Sequence, residues 1–243
     1  AQRPVAPRGG RRAGPGVMAG TDPGGDRRQF AVDVGRLVHP GGSPEPLVAL
    51  PDVRRARIVL PAHGPAVRGG LSRLAATHRP VERVAARAVA AAVASGARRP
   101  LAERLDLDAA ADAGPGLAQR LAELLGHPVQ LGWLVSPPRS TRKPVVLVFA
   151  PDGTHRALAK LGADPLTDEL VRREASALHH LEEVDTGPLR APRVLHDGEW
   201  SGHPIVVQEA LAPLPPVRRE GLGIAEVVEA VALTGEITVA PLA

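Results

Sequence analysis

"HRALAKLGADPLTDELVRREASALHHLEE", residues 155–183, carries Lys160, one of only two lysines in a 243-residue chain that holds twenty-eight arginines. Fourteen residues later Glu174 stands within what reads as the apolar stripe of a helix. The segment opens as a strand, in which alternation sends Leu158 and Lys160 to one sheet face and Ala157, Ala159 and Leu161 to the other. It continues as a helix of about eighteen residues. With about 100° per residue counted from Leu170, Leu166, Ala177 and Leu181 fall within about 40°, and Leu178 and Val171 within about 100° on one side. Glu174 also falls at about 40°, whereas Glu169, Arg172, Arg173, Ser176 and Glu183 face away. A carboxylate on a packing face must be paired or hydrogen-bonded, because an isolated buried charge costs several kcal/mol. The four-residue turn between strand and helix lets the helix fold back on the sheet and bring Glu174 to Lys160. The alternative leaves Glu174 at the edge of the stripe in water, with Lys160 snorkelling at a strand end.

The flanking sequence extends this unit in both directions. "VQLGWLV" (129–135), "PVVLVFA" (144–150) and "RALAKLG" (156–162) read as three short strands, separated by "SPPRSTRK" and by "PDGT", whose Asp152-Gly153 pair marks a hairpin. After the helix, "RVLHDGEW" (193–200) and "HPIVVQEAL" (203–211) read as two further strands. The order is three antiparallel strands, a helix and two strands.

That order of parts resembles the amino-terminal lobe of the protein-kinase-like fold, in the branch of the aminoglycoside phosphotransferases and similar small-molecule kinases. "VQLGWLVSPPRSTRKPVVLVF" is similar to the first two strands and their phosphate-covering loop. "ALAK" is similar to the third strand with its ATP-binding lysine, and "LVRREASALHHL" to the helix with that lysine's glutamate partner. The last two strands lead into the hinge that receives adenine. The resemblance covers roughly residues 127–233. It implies an α+β fold, a five-stranded antiparallel sheet with one long helix, with ATP as cofactor and a small molecule as phosphate acceptor. By the same resemblance Lys160 holds the α and β phosphates and Glu174 fixes the lysine. A compact ammonium suits that place better than a planar guanidinium, which gives a reason for lysine amid so many arginines. Backbone groups from Gln208 and Glu209 to Leu211 would meet the adenine edge, and Leu158 or Val206 would line its apolar slot. The covering loop departs from the family pattern: it has no glycine, and its prolines remove N–H donors, so Ser136, Ser140 or Thr141 would have to substitute. No catalytic residue is assigned, because no histidine-glycine-aspartate string or magnesium-binding aspartate follows residue 211. "HDGEW" (196–200) lies ahead of the hinge. The expectation is the front half of a phosphotransferase, with Mg²⁺ binding left to a carboxyl-terminal lobe outside this sequence.

Composition limits the other classes. The apolar fraction of 44% rests on Ala, Val and Leu, with Phe30, Phe149, Trp133 and Trp200 as the only Phe or Trp and no Tyr. The absence of cysteine excludes disulfides, thiolate metal sites and thiol nucleophiles. No run reaches the length of a membrane helix, so no membrane partner and a cytoplasmic setting are expected. The net charge of +4 sits in residues 1–30, which hold six arginines and two aspartates; beyond them 24 basic and 24 acidic residues balance. Nucleic acid is therefore a poor fit as a partner. The adjacent His179-His180 and Glu182-Glu183 point in different directions on a helix, which suits a solvated face rather than a metal site.

Residues 1–30, dense in Gly, Pro and Arg, read as a disordered tail, with Met18 as an alternative start. Residues 31–126 read as an α-rich region ahead of the 127–243 unit. Its pieces are "VDVGRLV" and "RARIVLPA", which suit strands or irregular arms, a helix over 80–95 opened by Pro80, and a second over 116–126 ended by Gly126. The competing function for the whole chain is a non-catalytic interaction module, with the Lys160–Glu174 pair purely structural.

Overall fold

The computed structural model describes residues 23–76, 102–108, 114–184 and 190–211. The helix expected over 80–95 lies outside the described residues. The chain begins with helix α1 (Pro23–Val38), strands β1 (Leu47–Leu50) and β2 (Ile58–Pro61), helix α2 (Pro65–Ala76), strand β3 (Glu103–Leu105) and helix α3 (Leu117–Leu125). The meander follows as β4 (Gln130–Leu134), β5 (Val145–Phe149) and β6 (His155–Leu161). Helix α4 (Pro165–Glu183), β7 (Val194–Trp200) and β8 (His203–Glu209) complete it. The five strands and the helix expected from 129 to 211 are therefore all present, and α3 closes at Gly126, whose N–H reaches Ala122 O.

The sheet itself is larger than expected. All eight strands join one antiparallel sheet in the order β3-β1-β2-β4-β5-β6-β8-β7, in place of a five-stranded one. The reason lies in β4, which would be an edge strand in a five-stranded sheet. Here β2 pairs with it through Ile58↔Leu134 and Val59↔Trp133, and β1 and β3 follow outward. "LVAL" and "IVLP" are four-residue apolar pieces buried on both faces, and strands that short have no use for their apolar side chains until a larger sheet accepts them. Residues 31–126 thus contribute three strands as well as helices. "VDVGRLV" is the end of α1, with Ala31, Val34 and Val38 buried at helical spacing, and residues 23–30 form that helix's first turns.

Strict alternation distributes the strands between two layers. Leu131, Trp133, Val146, Val148, Ala157, Ala159, Leu161, Ile205 and Val207 point to the face that α1 and α3 cover. Leu60, Leu147, Phe149 and Leu158 point to the opposite face under α2, and Val206 points there under α4. Covering both faces explains why "VVLVF" reads as a continuous apolar run. The β5–β6 hairpin turns at Gly153, which has φ 84°, and Gly69 of α2 packs so closely on it that a Cβ at Gly69 would collide with Gly153 O. Among the described residues no helix is long and apolar enough to cross a membrane.

Candidate functional site

Helix α2 lies over β2, β4, β5 and β6, whereas α4 lies over β6, β7 and β8, so β6 is the seam between them. Lys160 stands on β6 at this seam. Its Nζ donates to Glu174 Oε1, and the Nζ of Lys143 donates to Glu174 Oε2. Both lysines of the chain therefore meet on one carboxylate, each on its own oxygen. The three side chains are 18%, 23% and 25% exposed for Lys160, Lys143 and Glu174, so water reaches them only partly. Burial alone would raise the Glu174 pKa. The hydrogen bonds and charges of Lys143 and Lys160 outweigh it and hold the carboxyl below its ordinary value. One net positive charge is left over.

Local sequence explains how each group arrives. Asp164 caps α4: its side chain accepts from Thr167 N at 2.9 Å, while Thr167 Oγ1 accepts from Asp164 N at 3.0 Å. His203 at the start of β8 meets Asp168 in the first turn of α4, Nδ1 to Oδ1 at 3.0 Å. The buried row of α4 is Thr167, Val171, Ala175 and Leu178, with Glu174 beside it. This corrects the stripe expected around Leu170, since Leu166 is 49% exposed and Ala177 lies at the surface. Glu174 still faces the sheet, because Val171 and Leu178 stand three residues before and four after it, on the same side of the helix.

Lys143 was not singled out by sequence as a site residue. Two features bear on it: its rarity, and period two from Val145, which pairs with Lys160 across β5–β6. Residues 143 and 145 fall on the same face, so hairpin register alone carries Lys143 towards Lys160. Its neighbour Arg142 turns the other way and is buried, with Nη1 on Asp26 Oδ2 at 2.9 Å and its guanidinium 3.6 Å from the centre of the Phe30 ring of α1. The loop's end is thereby anchored to α1 on one face while Lys143 reaches Glu174 on the other.

The remaining expected residues take varied positions. Leu158 is buried beneath Val67 and Leu71 of α2. Ser136 is half-buried, and Ser140 and Thr141 are exposed in the β4–β5 loop. Gln208, opposite Leu158 in the β6–β8 ladder and on the same face as Val206, is only 6% exposed, and its Oε1 has no hydrogen-bond partner among the described residues. Glu209 accepts from Arg190 Nη2 at 3.0 Å, and its N–H bonds Arg193 O. Ala210 N–H bonds Arg156 O, and Leu211 is half-buried. His179 and His180 lie at the surface, with His179 beside Glu182 and Asp197, and no group of three potential ligands that could hold a metal ion occurs among the described residues.

No family model, no curated protein and no solved structure matches the chain.

Proposed function

We propose that residues 127–211 bind ATP, as the nucleotide-binding lobe of a small-molecule phosphotransferase of the aminoglycoside-phosphotransferase-like kind. The observation that carries this reading is the Lys160–Glu174 pair, formed between the third strand of a meander and the helix that follows it. The strand order β4-β5-β6-β8-β7 supports it: the helix leads into β7, and β8, joined to β7 by a hairpin, returns to pair with the lysine strand β6. On this reading β3-β1-β2 is an extension of the lobe's first edge. Lys160 holds the α and β phosphates, and Glu174 fixes it. The 243 residues contain no histidine-glycine-aspartate string, so the proposed role of this chain is to grip the nucleotide, with transfer to a small-molecule acceptor and Mg²⁺ binding left to other residues. A cytoplasmic setting, where ATP is abundant, accompanies the proposal.

One observation favours a second reading, a non-catalytic interaction module with a structural ion pair. Leu158, expected in the adenine slot, is covered by α2. A thermal-shift titration with ATP separates the two. At a hundredfold excess over Kd, binding stabilises the folded state by about 2.7 kcal/mol, a shift that Lys160→Ala abolishes. No shift, or an equal shift in the variant, gives the second reading instead.

A further inference from the structure

Glu174 neutralises one cation and receives two. An ion pair built only for structure needs one lysine, and the second brings an excess positive charge to a seam from which water is partly withdrawn. The loop that delivers Lys143, residues 136–144, is also the loop placed to cover phosphates on the reading above. It contains Pro137, Pro138 and Pro144 and no glycine, so the flexible glycine-rich cradle of the family pattern is absent and consecutive main-chain N–H groups remain only over residues 139–143, of which that of Arg142 bonds Arg139 O. Its exposed tip offers Ser140 and Thr141 hydroxyls, and Arg142 is committed to Asp26 and Phe30. Arg139 is exposed, and Lys143 is the loop cation that meets Glu174 beside Lys160.

We propose that Lys143 is a second phosphate-binding cation of this site, delivered by the 136–144 loop, and that the site therefore selects nucleoside di- and triphosphates over monophosphates. Glu174 holds the two ammonium groups on its separate oxygens, and a polyphosphate chain supplies the further negative charge that the carboxylate lacks. Arg142 is a positioning residue, since its burial against α1 fixes the backbone from which Lys143 projects.

The inference rests on the nucleotide reading, and calorimetric titration of the full chain with ATP, ADP, AMP and adenosine distinguishes failure of one from failure of the other. Wild type is expected to bind ATP and ADP more tightly than AMP. Lys143→Gln is expected to weaken ATP binding about tenfold, the scale of one charge-assisted hydrogen bond, while adenosine affinity is unchanged. Lys143→Arg, which keeps the charge, recovers part of the loss and controls for folding of the loop, with the melting temperature checked for each variant. Binding of ATP that depends on Lys160 but has the same ATP-to-AMP ratio in wild type and Lys143→Gln overturns the role of Lys143 and leaves the nucleotide reading intact. Absence of ATP binding by wild type overturns both.

Discussion

Glu174 is tolerated on a packing face because two ammonium groups meet it, and the same arrangement sets its response to pH. Its folded-state pKa is depressed. The stabilisation it provides is therefore fully present above the unfolded carboxyl value of about 4.3 and is lost as pH falls through the lower folded value. Glu174→Gln leaves two lysines unpaired at about a fifth exposure. The expected loss at pH 7 lies between that of exposed and fully buried pairs, about 1–3 kcal/mol. Urea midpoints of the two proteins should draw together as pH falls from 7 towards 3, and curves that stay parallel would show that the ionisation of Glu174 is not linked to folding. At this scale the sequence was informative where a rule of period two applied to a rare residue: it placed Lys160 and Glu174 together. Lys143 escaped because it precedes β5 in a proline-rich loop, where strand alternation is not a rule.

Helix α4 was legible in extent, yet its roll about its own axis was not. Apolar size points to Leu166, Leu170 and Leu181, whereas the helix buries Thr167, Val171, Ala175 and Leu178. Thr167 is fixed inward by its reciprocal bonds with Asp164, and Glu174 is fixed inward by the lysines, which together outweigh one exposed leucine. Small Ala175 lets the helix approach Val206. Three substitutions read out this orientation by chemical denaturation. Asp164→Ala should cost about 1 kcal/mol through the lost cap. Ala175→Leu should cost about 1–3 kcal/mol through overpacking, and Leu166→Ala should change stability by less than about 0.5 kcal/mol. A larger loss for Leu166→Ala than for Ala175→Leu would mean that the leucine stripe faces the sheet after all.

At the scale of the molecule, the question is whether the first three strands are a separate unit joined to the meander or part of its folding. The ladder between them is short, with two paired residues between β2 and β4 and one further bond from Val135 N–H to Arg57 O at 2.9 Å. Composition could not reveal the union, since the joining strands are four residues long and their partner lies some seventy residues on. The core nevertheless crosses the junction: Trp133 of β4 is fully buried among Val59, Ala31 and Val34, and its Nε1 donates to Ala31 O at 3.2 Å. Trp200, on the far edge strand β7, donates to Leu37 O of the same helix at 2.8 Å. Both tryptophans of the chain therefore tie α1 across the sheet, from β4 to β7. Because removing α1 and β1–β3 would expose that layer along with both indole bonds, unfolding is expected to be one cooperative step. In guanidinium chloride, tryptophan fluorescence and far-ultraviolet circular dichroism should then trace coincident transitions, and Trp133→Phe should lower the midpoint in both, with a loss of about 1 kcal/mol from the hydrogen bond. A fluorescence change that precedes the loss of secondary structure would instead mark the amino-terminal strands and α1 as a layer that detaches before the lysine-bearing sheet unfolds.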